Sequence, residues 1–123
     1  MSPTNRSRIL NPDLAPEGHR SIEWARRHSP LVDGFLRERL KDGALDGRRV
    51  AVVVHLEAKT ALLATVLADA GAEVVAAGSN PHSTRDEIAA ALVERGVEVH
   101  STRDSGYDAW EKDLLAVADT GPE

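Results

Sequence analysis

Hydrophobic residues in the second half of the chain form short continuous runs that alternate with longer segments of helical spacing. Residues 50–54 are valine or alanine throughout, and two shorter apolar runs follow. Continuous apolar runs are typical of strands buried on both faces, as in parallel sheets. The alternation predicts an α/β fold in which helices connect parallel strands. The predicted strands cover 50–54, 73–77 and 97–99, and the predicted helices cover 58–70, 83–95 and 107–118.

Glycine and proline mark the ends of the predicted helices. Gly71 and Gly96 follow the first two helices between strands, at the position where a left-handed residue commonly ends a helix. Before the first strand, Pro16 suits a first helical turn because the N–H that proline lacks would have no partner there. Ser29 and Pro30 interrupt the helical pattern and can cap and begin a second helix. Two amino-terminal helices are therefore expected, the second with an apolar stripe of Leu31, Phe35, Leu36 and Leu40.

Length and composition are those of one small domain. The chain has 123 residues, a formal net charge of −5 and no cysteine. The lack of cysteine excludes disulfides, thiolate zinc sites and a cysteine nucleophile, and the acidic balance argues against a general nucleic-acid binder. No apolar run reaches the roughly 18 residues of a membrane helix and no signal peptide is recognisable, so a cytoplasmic location is expected. We expect a folded unit over 14–118, a disordered tail over 1–13 and a short tail over 119–123.

Polar residues cluster directly after each predicted strand, where ligands bind in open parallel sheets. His55 ends the first strand, and it can act as an acid or base or simply satisfy the loop backbone; the sequence leaves both open. Glu57 and Lys59 begin the next helix. The helix dipole favours a carboxylate at this position but gives no advantage to a lysine, so Lys59 is the more suggestive of the two. Both can also be ordinary solvated helix residues, and the sequence leaves this open.

The loop after the second strand carries a second polar group. Asn80 can hydrogen-bond a ligand or hold an Asx turn. Ser83, with Asp86 three residues later, matches a helix start, and capping explains both residues without a ligand. Arg85 is not explained by capping: its guanidinium can meet a carboxylate or a phosphate, or the side chain can simply be exposed.

Metal and nucleotide motifs are missing from the sequence. His55, His82 and His100 lie near strand ends, but their spacings fit no ligand pattern, so no metal is predicted. The glycine-rich patterns that mark nicotinamide, nucleoside triphosphate and serine-hydrolase sites do not occur. The strand ends therefore indicate where a site lies and leave its reaction open.

Taken together, these motifs resemble the amino-terminal, substrate-binding part of adenosylhomocysteinase (S-adenosylhomocysteine hydrolase). The likeness runs in order from about Leu14 to about Ala118, which corresponds to only the first quarter to third of a family chain. The resemblance implies a three-layer Rossmann-like α/β unit, in which helices flank a short parallel sheet of about three strands, preceded by two amino-terminal helices. The matching stretches are 21–25, 36–39, 54–61, 71–74 and 78–86.

The family cleaves S-adenosylhomocysteine to adenosine and homocysteine with tightly bound NAD. The resemblance implies that His55 is the catalytic histidine near the ribose and its thioether. The Glu-Ala-Lys form of residues 57–59 looks like a branch in which some members prefer an inosine-type nucleoside, so the base stays open. Arg85 replaces the usual glutamine of the family. The implied substrate-binding residues are Glu57, Lys59, Thr60, Asn80, Ser83, Thr84, Arg85 and Asp86.

The family's NAD-binding domain and its later catalytic residues have no counterpart in this sequence. We therefore expect no cofactor in this chain and no NAD-dependent hydrolysis by the chain alone. Three hypotheses stay open: a binder of a nucleoside, thioether or other small polar ligand; a small cofactor-independent isomerase, cyclase or lyase centred on His55; and an accessory or structural subunit of a methyltransferase-linked complex.

A sheet of three short strands leaves at least one edge unpaired. The first strand is apolar on both faces, so both faces need cover. We therefore expect a homodimer or a heteromer that covers the open sheet, a small-molecule ligand, and neither nucleic acid nor a membrane as a partner.

Overall fold

The computed structural model describes residues 6–123 and confirms the α/β fold. Three parallel strands form one sheet in the order β1-β2-β3. None of the helices described is long and apolar enough to cross a membrane. The strands are β1 (Arg49–Val54), β2 (Glu73–Gly78) and β3 (Glu98–Val99), and the helices are α1 (Ala15–Arg27), α2 (Arg37–Arg39), α3 (Ala58–Asp69), α4 (Asp86–Glu94) and α5 (Tyr107–Asp119).

The central strand is buried on both faces, as its continuous apolar run predicted. Val74 and Ala76 face a core that also contains buried residues of α1, α3 and α4. Val75 and Ala77 face the opposite way and pack with Val117 of α5. The sheet therefore lies between one layer of helices and α5, in the three-layer arrangement that was expected.

Two glycines occupy positions where a side chain would not fit the backbone, one because of its φ and one because of a close helix contact. Gly71 ends α3 with a φ of 100°, which confirms the left-handed stop expected from the sequence. Gly18 lies where α1 meets α4, and a Cβ atom built on it would be 1.9 Å from the carbonyl oxygen of Glu87. The contact between α1 and α4 thus requires a residue without a side chain at position 18.

The second amino-terminal helix is present but is not a regular α-helix. A π-helical turn over Leu31–Leu36 leads into α2, and a 3₁₀ turn over Leu40–Asp42 follows. Leu36 and Leu40 pack against the core, whereas Leu31 and Phe35 are exposed. The predicted four-residue stripe is therefore only half correct, because π-helical hydrogen bonds add a residue to the turn and shift the apolar positions.

A disordered tail was expected over 1–13, but the second half of this segment is folded in the structure. Arg8 forms a parallel β-bridge with His100: its N–H donates to the Val99 carbonyl at 2.8 Å, and its carbonyl accepts from Ser101 at 3.0 Å. Asn11 caps a 3₁₀ turn over Pro12–Leu14. Residues 7–13 therefore belong to the folded unit and extend the sheet beside β3, while residues 1–5 of the expected tail lie outside the described residues.

Candidate functional site

His55 is an exposed imidazole directly after β1. Its Nδ1 atom lies 3.3 Å from the hydroxyl oxygen of Ser79, which directly follows β2. The N–H of Ser79 donates to the Val54 carbonyl at 3.0 Å, so the strand pairing itself places these two side chains together. An imidazole that is open to solvent and close to a hydroxyl has the geometry of a general acid or base.

Glu57 and Thr60 cap the start of α3 by a reciprocal pair of hydrogen bonds. The Glu57 carboxylate accepts the N–H groups of Lys59 at 3.0 Å and Thr60 at 3.1 Å. The Thr60 hydroxyl accepts the N–H of Glu57 at 3.1 Å. Both side chains thus already serve as caps, and any role in ligand binding uses the hydrogen-bonding capacity that remains.

Beside this cap lies Lys59, whose ammonium group has no bonding partner among the described residues. It lies in the first turn of α3 and is exposed. No ion pair or side-chain hydrogen bond involves its ammonium group in the part of the chain that is described. An unpaired donor near the strand ends is available for an acceptor on a ligand.

The loop between β2 and α4 is organised by its own hydrogen bonds. The Asn80 side chain accepts the N–H of His82 at 2.8 Å, which is the Asx turn left open by the sequence. The Ser83 hydroxyl donates to the Asn80 carbonyl at 3.2 Å. The helix begins at Asp86 with Arg85 at the N-cap position, so the predicted capping role of Ser83 is wrong. Ser83 instead belongs to the turn at Asn80, because its hydroxyl bonds to the Asn80 carbonyl three residues before the helix starts.

Thr84 and Asp86 join this loop to the segment after β3. Thr84 is buried, and its hydroxyl forms a hydrogen bond with that of Ser101. Ser101 in turn accepts the N–H of Gly78 at 3.2 Å. The Asp86 carboxylate accepts the N–H of Arg103 at 3.0 Å. The predicted binding residues Thr84 and Asp86 therefore connect the loop after β2 to the segment after β3.

Arg85 is partly neutralised by its own helix. Its guanidinium lies 2.7 Å from the carboxylate of Glu87, and its side chain is 42% exposed. An anion that binds Arg85 must compete with this ion pair. Arg85 is therefore a weaker anchor for a phosphate or carboxylate than its sequence position suggests.

Sequence reasoning missed an aromatic and charged group at the same end of the sheet. The His82 Nδ1 atom lies 2.7 Å from a carboxylate oxygen of Asp104, and the ring of His82 meets that of Tyr107 edge to face. Tyr107 makes a similar contact with Trp110, whose indole N–H donates to the Gly78 carbonyl at 2.9 Å. The only sequence feature that could have indicated this group is that its members follow two neighbouring strands, β2 and β3.

The starts of α3 and α4 do not fit the NAD that the resemblance implies for the full-length family. Dinucleotides place their pyrophosphate on free N–H groups at a helix start. At α3 the Glu57 carboxylate already accepts those N–H groups, and α4 begins with Asp86 and Glu87. A pyrophosphate would find the N–H groups of α3 already bonded to Glu57, and at α4 it would meet the carboxylates of Asp86 and Glu87. For metals, no cluster of three potential ligands occurs within residues 6–123.

The strand-end rim, defined here as His55, Lys59, Ser79, Asn80 and Ser83, is an open surface. A groove of about 650 Å³ lies elsewhere, beside the start of β1 and β2, and is lined by Arg49, Glu73 and Thr120 among others. We assign the site to the rim because the polar side chains with free hydrogen-bonding capacity gather there. In the groove, Arg49 is already bonded to Glu73 and to the Thr120 carbonyl.

Comparison with known proteins gives one consistent result. The family model for S-adenosyl-L-homocysteine hydrolase matches residues 7–120. An S-inosyl-L-homocysteine hydrolase of Methanococcus maripaludis is 40% identical over 95% of this chain, and one of Methanopyrus kandleri is 45% identical over 94%. An adenosylhomocysteinase of Thermotoga maritima is 39% identical over 86% of the chain. The chain spans 28%, 27% and 26% of the length of these three relatives, respectively.

Proposed function

The chain belongs to the S-adenosyl-L-homocysteine hydrolase family, and from this premise we propose that its strand-end rim binds the nucleoside part of a nucleoside thioether. The observation that carries the proposal is the exposed His55 imidazole at 3.3 Å from the Ser79 hydroxyl, at the carboxyl ends of neighbouring parallel strands. Ligands of open parallel sheets bind at this end. Both side chains can donate to or accept from the hydroxyl groups of a ribose.

Lys59 sets the preference for the base in this proposal. An ammonium group donates hydrogen bonds and accepts none. It therefore complements the 6-oxo group of hypoxanthine, which is an acceptor, better than the 6-amino group of adenine, which is a donor. Two of the relatives named above are S-inosyl-L-homocysteine hydrolases, which agrees with this preference. We therefore propose an inosine-type ligand rather than an adenosine-type ligand.

The chain acts as a binding unit in this proposal and does not complete the family's hydrolysis alone. The carboxylates of Asp86 and Glu87 at the start of α4 oppose a bound dinucleotide, and at α3 Glu57 already accepts the N–H groups that a pyrophosphate would use. The cofactor would be held by additional polypeptide. His55 is the residue that would exchange a proton with the ligand once the site is complete.

A fluorescence titration tests ligand binding directly. The chain has two tryptophans, and Trp110 is the one that contacts the end of β2. In the Trp24→Phe variant, Trp110 alone reports on the rim. We expect inosine and S-inosylhomocysteine to change its emission at lower concentration than adenosine and S-adenosylhomocysteine. Absence of any change with all four compounds, together with no shift of the melting temperature, would refute the proposal.

Matched variants assign the binding to the rim. His55→Ala should weaken the response, whereas His28→Ala, which removes another exposed histidine at the end of α1, should leave it unchanged. Lys59→Ala should remove the preference for the 6-oxopurine and retain binding. Chromatography of the same mixtures checks for product: release of a free nucleoside without any added protein would favour the cofactor-independent enzyme centred on His55.

A further inference from the structure

A charged and aromatic group lies next to the strand-end rim and is not used by the site proposed above. We call it the outer cluster and define it as His82, Arg103, Asp104 and Tyr107. It joins the rim directly, because the Asn80 side chain accepts the N–H of His82 at 2.8 Å. The outer cluster therefore continues the rim along the loop after β2 and onto the segment after β3.

The backbone that carries Arg103 and Asp104 is fixed by the rest of the fold. The N–H of Arg103 donates to the Asp86 carboxylate at 3.0 Å, and the N–H of Asp104 donates to the Pro81 carbonyl at 2.8 Å. One Asp104 carboxylate oxygen also lies 2.7 Å from the His82 Nδ1 atom. A carboxylate and a guanidinium are thus presented side by side by a backbone that is held at both residues.

The two charges retain hydrogen-bonding capacity. The second carboxylate oxygen of Asp104 lies 3.7 Å from the Arg103 Nε atom, which is beyond hydrogen-bond distance. Within residues 6–123, no hydrogen bond involves this oxygen or the Arg103 guanidinium. The side chains are 64% exposed for Asp104 and 60% exposed for Arg103. An exposed ion pair of this kind contributes little to stability, so both groups are available to a ligand.

An exposed aromatic ring completes the outer cluster. Tyr107 is 68% exposed, and its ring makes edge-to-face contacts with the rings of His82 and Trp110. The face of an aromatic ring attracts a cation. Because Asp104 and Tyr107 both contact the His82 side chain, two groups that attract positive charge lie close together.

We propose that the outer cluster binds the amino-acid end of a nucleoside thioether whose nucleoside part occupies the rim. The Asp104 carboxylate and the Tyr107 ring receive the ammonium group, and the Arg103 guanidinium receives the carboxylate. This inference rests on the proposed function, because it assigns a position to the second part of the same ligand. It gives a role to the segment after β3, which the rim does not use.

Ligands with a single charge fit the outer cluster less well than a zwitterion does. A phosphate that approaches Arg103 meets the Asp104 carboxylate beside it, and a plain amine at Asp104 meets the guanidinium. An α-amino acid carries both charges on neighbouring groups, so it satisfies both side chains at once. Two of the relatives are named for S-inosyl-L-homocysteine, a nucleoside thioether that ends in an amino acid, which agrees with this assignment.

Isothermal titration calorimetry with two probes isolates the contribution of the amino-acid end. S-inosylhomocysteine carries this end, whereas 5′-methylthioinosine has the same nucleoside and sulfur without it. We expect the wild type to bind S-inosylhomocysteine roughly tenfold more tightly, the gain from one hydrogen bond to a charged group. Asp104→Asn and Arg103→Gln should each remove most of this gain and leave the affinity for 5′-methylthioinosine unchanged. Asparagine is chosen because it tolerates the left-handed backbone of residue 104.

Asp108→Asn and Arg39→Gln are the matched controls. Each makes the same change of charge at an exposed residue whose side chain has no bond in the part of the chain that the structure describes. Both variants should preserve the tenfold difference between the probes. Urea denaturation establishes that all four variants are folded.

The outcomes separate this inference from the proposed function. Equal affinity of the wild type for both probes would overturn the inference and leave nucleoside binding at the rim intact. A tenfold difference that persists in both Asp104→Asn and Arg103→Gln would put the amino-acid end elsewhere and would overturn it as well. Binding of neither probe contradicts the proposed function, and the inference fails with it.

Discussion

The Nδ1 atom of His82 lies 2.7 Å from a carboxylate oxygen of Asp104, and this contact joins the loops that follow β2 and β3 at the protein surface. The N–H of Asp104 also donates to the Pro81 carbonyl at 2.8 Å. Beneath them the buried hydroxyl groups of Thr84 and Ser101 form a second connection. The two loops are thus connected both at the surface and in the interior. These contacts hold Asn80 and Ser83 in place at the rim.

Asp104→Ala should destabilise the protein because of its backbone conformation. Asp104 has a φ of 56°, in the left-handed region that asparagine and glycine tolerate better than alanine does. Asp104→Ala keeps the unfavourable φ, loses the carboxylate and should lower the free energy of unfolding by about 1 kcal/mol. Asp104→Asn tolerates the same backbone and should retain most of the stability in urea denaturation. Equal losses for the two variants would show that the backbone conformation is unimportant.

Gly18→Ala should disrupt the contact between α1 and α4. The added methyl group would lie 1.9 Å from the Glu87 carbonyl oxygen, so the helices must separate. Overpacking of this kind destabilises by about 1–3 kcal/mol or more. Gly34 is the matched control, since a Cβ built there meets nothing within 4 Å. Gly34→Ala should stabilise by roughly 0.5–1 kcal/mol through the unfolded chain. Thermal denaturation of both variants checks the opposite signs.

Glu57→Ala should weaken the start of α3, because two N–H groups lose their acceptor. Losing an N-cap side chain reduces the free energy of unfolding by about 1 kcal/mol. Aspartate is a favoured N-cap residue, so Glu57→Asp should keep most of the stability. If urea denaturation gives equal stability for wild type and Glu57→Ala, the cap contributes nothing and the Glu57 carboxylate is left for ligand binding alone.

The elements that were predictable from sequence are those with a local pattern. The runs around Val52 and Val75 gave the strands, and Gly71 gave the end of α3, because each feature depends on neighbours in the sequence. The start of α4 was predicted too early, because Ser83 resembles a helix cap when only the sequence is considered. The hydrogen bond from its hydroxyl to the Asn80 carbonyl is visible only in the structure.

Contacts between distant parts of the chain were not predictable. The strand-end rule placed His55 and Asn80 at the same end of the sheet. The partners of these loops could not be inferred: His82 and Asp104 are 22 residues apart, and Thr84 and Ser101 are 17 apart. Arg8 was assigned to a tail because one β-bridge and one ion pair leave no periodic signal.

The stability contributed by Glu123 should depend on pH. Hydrogen bonds from the Arg49 N–H and the Arg48 guanidinium lower the pKa of this carboxyl from its ordinary value of 4.5. A carboxyl whose pKa is lower in the folded state adds stability above its unfolded pKa, and that contribution is lost as the pH falls through the folded pKa. Wild type should therefore be more stable than Glu123→Gln at pH 7, and the two should converge as the pH falls through the lowered pKa of Glu123 in the folded state.

Acid titration of unfolding in urea measures this difference. Glu111→Gln is the control, because within the described residues the exposed Glu111 carboxylate, in the middle of α5, makes no ion pair or hydrogen bond. We expect this substitution to change stability little across the same series. A constant difference between wild type and Glu123→Gln from pH 7 to pH 3 would contradict the ionic origin of the effect.

Arg8 should contribute to stability through Asp113, although it lies in a segment expected to be a tail. Its guanidinium contacts both carboxylate oxygens of Asp113, with the Nε–Oδ1 distance at 2.7 Å, and the hydrogen bond raises the pKa of Arg8 above its ordinary value. The Asp113 side chain is only 4% exposed, whereas that of Arg8 is 47% exposed. Removing Arg8 therefore leaves a buried carboxylate without its partner.

Arg8→Ala should lower the free energy of unfolding by about 1.5–3 kcal/mol, the range for a hydrogen bond to a charged group. Arg6→Ala, at a neighbouring exposed arginine, should change it by less than about 0.5 kcal/mol. In the Asp113→Leu background no carboxylate is left unpaired, so Arg8→Ala should cost much less there, and the double-mutant cycle in urea isolates the pair. An equal loss in both backgrounds would assign the effect of Arg8 to packing of its aliphatic stem. Because the Ser101 N–H donates to the Arg8 carbonyl, amide exchange at Ser101 should stay slow in Arg8→Ala, which separates the ion pair from the β-bridge.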